Sequence, residues 1–219
     1  MPRAARVVVP GLAHHVIQRG NRRQAIFFDD ADRRFYLNLL KDACARHETT
    51  CLAWCLMDNH VHLILVPRTE DGLRAALAST HTSYSQHVNR KQEVSGHLFQ
   101  GRFASYAMDD AHLMVAARYI ENNPVAAGLV RDAEAWPWSS ARAHAGGKSD
   151  GLTDIAVLGR HVPNWRAMLA RGLEAGEEDE RIERALRSGR PIGTAEWLAS
   201  IGQAPVPPGK RGRRAGSAK

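Results

Sequence analysis

No apolar run in this 219-residue chain approaches the ~20 residues that a membrane-spanning helix needs, which argues against an integral membrane protein of the helical kind. Its first eleven residues, MPRAARVVVPG, hold a short apolar stretch but neither the longer hydrophobic region nor the small-residue cleavage site of a secretory signal. Cysteine is scarce and odd in number: Cys44, Cys51 and Cys55 fall inside an expected helix and strand, which suits reduced, packed thiols better than disulfides. A cytoplasmic protein is expected. No internal repeat is found, and Gly146-Gly147-Lys148-Ser149 lacks the earlier glycine of a nucleotide phosphate loop. Acidic residues are also in deficit, with 23 against 30 Lys and Arg, so the net charge is +7 and the pI near 9.8. That excess implies an anionic partner. Without a basic amphipathic anchor for a membrane surface, nucleic acid is the expected one, which would make the protein nucleoid-associated.

What is present is an ordinary core-forming composition, 44% apolar, enough for one domain of moderate size with an appendage. The densest signal is residues 52–67, LAWCLMDNHVHLILVP, where two apolar runs flank Asp58-Asn59 as in a hairpin. Strand side chains alternate, so His60 and His62 project to one side, about 7 Å apart, while Val61, Leu63 and Leu65 point to the other. Two imidazoles on one face of a rigid strand can share a metal ion, and equally describe two half-buried strand histidines. They leave most of a divalent ion's coordination sphere unfilled, so a third ligand must be sought elsewhere. Cys51 and Cys55 are expected to share a strand face with Ala53 and Met57 in small apolar roles.

In chain order, residues 13–19 (AHHVIQR) read as a first strand. Gly20, Asn21, Arg22 and Arg23 then make a turn whose cations either touch phosphates or are merely solvated. Asp29 or Asp30 caps a helix to about His47, with Phe35, Leu39, Leu40 and Ala43 on its apolar face. Residues 72–89 form a second amphipathic helix, with Leu73, Leu77, Thr80, Tyr84 and Val88 on one face, which makes Tyr84 a packing residue. After a polar loop, residues 97–108 run into a strand; Gly101 permits close backbone approach and Arg102 is a phosphate-ligand candidate.

A third helix is expected from Asp109 or Asp110 to Asn123, ended by Pro124. Leu113, Ala117 and Ile120 make its core stripe, and His112, Tyr119 and Asn123 an adjacent one. Trp136-Pro137-Trp138-Ser139-Ser140 reads as a chain reversal that buries tryptophan. Residues 146–151 read as a linker, and 164–175, 178–188 and 194–201 as short helices. From Pro205 the chain is a disordered basic arm carrying Lys210, Arg211, Arg213 and Arg214, suited to nonspecific phosphate contacts.

These motifs, taken as a set, resemble a known family. MDNHVHLILVP, preceded by HHVIQRGNRRQ and followed by QGRF and ARYIENNPVAAGLV, is similar to the single-tyrosine HUH transposases, most closely the REP-associated tyrosine transposases, over about residues 13–140. The resemblance implies an α+β fold, a ferredoxin-like antiparallel sheet covered by helices, that cuts single-stranded DNA beside hairpins and serves DNA transposition. It implies His60 and His62 as metal ligands, Asn123 as the third, Tyr119 as nucleophile, and Mg²⁺ or Mn²⁺ as cofactor. Asp58 stands where that family often has proline, a change of turn chemistry rather than of ligands.

The expected organisation is a transposase-like domain over residues 1–145, a helical extension over 146–204 and the basic tail over 205–219. The expected partner is single-stranded or hairpin DNA, met through Arg19, Asn21, Arg22, Arg23, Arg102 and the tail cations, by a monomer or homodimer. Two rival readings remain open here: a catalytically silent DNA- or RNA-hairpin-binding regulator, and a structural zinc site using the histidines and cysteines.

Overall fold

Short, largely apolar runs buried on both faces form four strands, β1 (His14–Arg19), β2 (Thr49–Met57), β3 (His60–Pro67) and β4 (Ala104–Ala107). The computed structural model describes residues 7–171 and 176–203. The strands form one antiparallel sheet in the order β2-β3-β1-β4. Helix α1 (Asp30–Arg46) joins β1 to β2 and α2 (Gly72–Lys91) joins β3 to β4, which is the ferredoxin-like order. Both helices cover one face, packing Tyr36, Leu40, Leu73, Leu77 and Tyr84 onto Val16, Val61, Leu63 and Leu65. Helix α3 (Asp110–Ala126) covers the other, where Leu113, Ala117 and Ile120 meet Cys55, Ile64 and Tyr106. Each such fully buried aliphatic side chain is worth about 1.5–3 kcal/mol, so both faces hold their helices firmly.

Three local readings are corrected. Phe35 is 36% exposed while Tyr36 is fully buried, so Tyr36 takes its place on the inner face of α1, where Leu40 and Ala43 lie as read and Leu39 is half-buried. Asp32 lies on that face too, accepting from the Phe28 amide at 3.0 Å and the Lys91 ammonium at 2.7 Å. Cys51 does not share a face with Ala53, Cys55 and Met57. A register shift after Cys51 inserts one residue into β2, which sends Cys51 to the α1 side and the other three to the α3 side. All three thiols are free and buried. Finally, Pro124 does not end α3: the helix passes through it to Ala126, and the amides of Ala127 and Leu129 bond the Asn123 and Pro124 carbonyls at 2.9 Å. A proline one turn from a helix end forfeits a single backbone bond, which the packed helix tolerates.

Asp58 anchors the β2–β3 turn. Its carboxylate pairs with Arg33, and its carbonyl accepts from the Ile26 amide at 2.8 Å. The Arg33 guanidinium also lies against Phe27, Trp136 and Trp138, 5.5, 5.9 and 5.6 Å from their ring centres. Those two tryptophans are half-buried rather than fully so.

Beyond α3 follow α4 (Ala141–Gly146), α5 (Ile155–Gly159), α6 (Trp165–Arg171), α7 (Gly176–Ser188) and α8 (Ala195–Ser200). The first two have no counterpart in the sequence reading. The glycine-serine stretch is pinned to β2, since Asp150 accepts from the Trp54 indole at 2.9 Å. Residues after α7 reach the β4 edge, where the Ile192 amide bonds the Ala107 carbonyl at 2.9 Å. This covers what would otherwise be an open strand edge. The tail cations Lys210, Arg211, Arg213 and Arg214 lie outside the described residues. Among the described residues, no helix is long and apolar enough to cross a membrane.

Candidate active site

Strand register decides which side chains meet. β1 runs antiparallel to β3 with Ile17 opposite His62 and Arg19 opposite His60, so His15, Ile17 and Arg19 share the α3 face with His60 and His62. The His60 and His62 ring centres are 4.9 Å apart. From α3, the Tyr119 ring stands edge-on to His62, 5.7 Å away at 88°, and 6.1 Å from His15. One turn further on, the Asn123 side chain comes close to the His60 ring. The structure thus brings His60, His62, Tyr119 and Asn123 together on one patch. His112, on the same helical stripe, is elsewhere: its ring bonds Asp109 at 2.6 Å and faces Arg181.

Burial keeps these imidazoles neutral. His60 is lowered to about 4, chiefly by desolvation and further by the Arg19 charge, with the Asn123 side chain opposing. His62, 1% exposed, is pushed well below its ordinary value, first by burial and then by His60, His15 and Arg19. Neutral rings keep a lone pair for a cation at ordinary pH. Each also has its Nδ1 occupied: His60 Nδ1 meets Asn59 Oδ1 at 2.6 Å, and His62 Nδ1 meets His15 Nε2 at 2.9 Å. An amide oxygen only accepts, so His60 Nδ1–H is the donor and Nε2 carries the lone pair. Among the described residues no group of three His, Cys, Asp or Glu is arranged to hold a metal; the side chain nearest the His60 ring from α3 is the Asn123 amide. Cys55 lies opposite His62 in the strand register, but its fully buried thiol points to Met57, and burial followed by the Glu121 charge raises its pKa. That disfavours the zinc arrangement.

The basic turn is held against this patch. Gly20 donates to the Asn59 carbonyl at 2.8 Å, and the Asn59 amide donates to the Arg23 carbonyl at 3.0 Å. Arg22 and Arg23 sit in the left-handed region, φ 52° and 61°, a conformation that costs non-glycine residues about 1 kcal/mol or more each and is held by these bonds. A side chain on Gly20 would lie 2.2 Å from the Gln24 carbonyl oxygen, so only glycine fits.

A groove of about 640 Å³ opens beside the patch, lined by Arg19, Arg23, Arg102 and Tyr119, with Glu183 and Arg187 of α7 as the facing wall. Asn21 and Arg22 do not line it. Arg187, Asn59, His15 and Tyr106 escape sequence reasoning, although strand alternation from the reading of residues 13–19 would have set His15 on the same face as Ile17 and Arg19. A second cavity, about 700 Å³, lies between α2 and residues 96–103 and contains no tyrosine.

Comparison with known proteins adds to this geometry. The family described as "Transposase IS200 like" matches residues 8–123, from just before β1 through Asn123. A Haemophilus influenzae protein named as a REP-associated tyrosine transposase is 27% identical over 111 residues, 46% of this chain and 63% of the relative. The match therefore spans less than two thirds of that relative's length. A solved REP-associated tyrosine transposase bound to a REP hairpin superposes with a TM-score of 0.58 at 19% identity, covering 71% of this chain and 90% of that one, a likeness of fold.

Proposed function

The chain belongs to the family of IS200-like transposases, and from that premise we propose that it cuts and rejoins single-stranded DNA beside hairpins, through Tyr119 and a divalent ion. The supporting observation is a census of phenols. Of four tyrosines, Tyr36, Tyr84 and Tyr106 are fully buried with their hydroxyls engaged by His81, the Ile26 carbonyl and His15. Tyr119 alone both adjoins the imidazole pair and lines the arginine groove.

His60, His62 and Asn123 would hold the ion, and the donor set fits: two neutral imidazoles and an amide leave positions open for phosphate oxygens. Imidazole donors favour Mn²⁺ over Mg²⁺. Such an ion supplies polarisation of the scissile phosphate and neutralises charge developing on it. Arg19, Arg23 and Arg102 hold the strand by its phosphates along the groove. The Tyr119 oxygen attacks phosphorus, its proton passes to water, and the 3′-oxygen leaves and is protonated. A 5′-phosphotyrosine results. A free 3′-hydroxyl then attacks that phosphorus and releases the phenol, so rejoining needs no nucleotide triphosphate.

One chain supplies all four groups, so a monomer suffices for this chemistry. The chemistry lies within residues 1–145; residues 146–204 brace it, and the basic tail from 205 adds phosphate contacts through Lys210, Arg211, Arg213 and Arg214. The hairpin preference is proposed from the solved relative, which is bound to one. The test is an end-labelled hairpin oligonucleotide with single-stranded flanks, incubated with protein and Mn²⁺. Cleavage that chelation stops and Tyr119→Phe abolishes is expected. Binding without cleavage by the intact protein would leave the hairpin-binding regulator instead.

A further inference from the structure

His15 is the most deeply placed imidazole of the group and has no part in the chemistry above. It is fully buried, with both ring nitrogens engaged: Nδ1 meets the Tyr106 hydroxyl at 2.9 Å and Nε2 meets His62 Nδ1 at 2.9 Å. Tyr106 is itself fully buried and pairs with His15 across the β1–β4 register. The three groups form a line running from the interior of the sheet to the proposed metal ligand. With that function as premise, we propose that His15 is a positioning residue that accepts the His62 Nδ1–H, supporting the tautomer whose Nε2 lone pair is presented to the divalent ion.

The argument is one of donors and acceptors. A neutral imidazole has one N–H, so the His15–His62 bond admits two proton arrangements. In one, Tyr106 O–H donates to His15 Nδ1, His15 Nε2–H donates to His62 Nδ1, and His62 carries its own hydrogen on Nε2, where no metal can bind. In the other, His62 Nδ1–H donates to His15 Nε2, His15 Nδ1–H donates to the Tyr106 oxygen, and His62 Nε2 is bare. Metal binding selects the second arrangement, and His15 satisfies the buried N–H that this arrangement leaves on His62. Without an acceptor there, the metal-competent tautomer carries an unpaired buried donor. His60 has the same service from Asn59, but from the surface side of the site.

The full-length protein is titrated with Mn²⁺ alone, without DNA, by calorimetry, and its histidine ring nitrogens are read by long-range ¹H–¹⁵N correlation with diamagnetic Mg²⁺ in place of Mn²⁺. Wild type is expected to show His62 protonated at Nδ1. His15→Leu is expected to weaken Mn²⁺ binding by ~10- to 100-fold, as loss of an outer partner does elsewhere. His15→Gln, whose amide oxygen accepts in place of Nε2, is expected to restore most of it. Mn²⁺ binding by His15→Leu equal to wild type overturns the inference while leaving the function intact. A folded wild type that binds no Mn²⁺ overturns both. Should His15→Leu fail to fold, the wild-type spectrum decides alone: a metal-loaded His62 carrying its hydrogen at Nε2 contradicts the inference.

Discussion

At Asn59 a single amide serves two neighbours, its oxygen accepting from His60 Nδ1 and its nitrogen donating to the Arg23 carbonyl. Substitution separates the two services. Asn59→Asp keeps the acceptor for His60 and loses the donor to the basic turn, so Mn²⁺ affinity should hold while single-stranded DNA affinity falls. Asn59→Ala loses both, and Mn²⁺ affinity should fall ~10-fold. Calorimetry with each ligand distinguishes them; equal behaviour of the two variants would contradict the dual role. Residues of this kind mark the limit of sequence reading. His60, His62, Tyr119 and Asn123 were legible because H-x-H on a strand and a Tyr-x-x-x-Asn spacing on a helix fix relative direction by local geometry. His15 and Tyr106 were not, because their meeting depends on how β1, β3 and β4 align.

The elements tell a similar story. All four strands and the first three helices were legible from periodicity and caps, since Asp29 and Asp109 accept from the amides of Asp32 and His112 as N-caps should. Periodicity did not reveal that Tyr36 rather than Phe35 faces inward on α1, beside the buried Asp32–Lys91 ion pair, or the bulge in β2, which only its partner strand exposes. On the proposed function, the turn after β1 supplies DNA contacts at this scale. If Arg19, Arg23 and Arg102 each contact one phosphate, each alanine substitution should reduce the magnitude of the log K against log salt slope by about 0.7 for single-stranded DNA. Arg22, which does not line the groove, should leave the slope unchanged when replaced. Anisotropy titrations at several salt concentrations measure this, and an Arg22→Ala slope change matching Arg23→Ala would contradict the placement of the strand.

Across the whole molecule, one buried carboxylate ties the extension to the helix that carries Tyr119. Glu121, on α3 between Tyr119 and Asn123, accepts from the Ser140 hydroxyl at 2.6 Å, the Trp165 indole at 2.6 Å and His144 Nδ1 at 2.7 Å. Glu121→Ala leaves those donors unpaired in the interior and should cost about 3 kcal/mol in urea unfolding. A loss under ~1 kcal/mol would contradict the clasp. Acid should unfold the protein early, because burial lowers His14 and His60 to about 4 and His15 and His81 to about 3. Between pH ~6.5 and ~3 the unfolded chain binds protons that the folded one refuses, so stability falls with falling pH across that window. A melting temperature flat from pH 7 to 5 would contradict the neutral, buried imidazoles. The extension's packing was not legible, since Glu121 reads in sequence as an ordinary exposed helix acid.

The central claim is that Tyr119 is the group that reaches DNA phosphorus. It is tested most directly by trapping the protein on hairpin DNA with Mn²⁺, digesting both polymers and locating the residual nucleotide by mass spectrometry. The account predicts a 5′-phosphonucleotide on Tyr119, within the tryptic peptide spanning residues 119–131. Attachment to Tyr36, Tyr84 or Tyr106, or strand cleavage that proceeds with no protein-linked nucleotide, would contradict it.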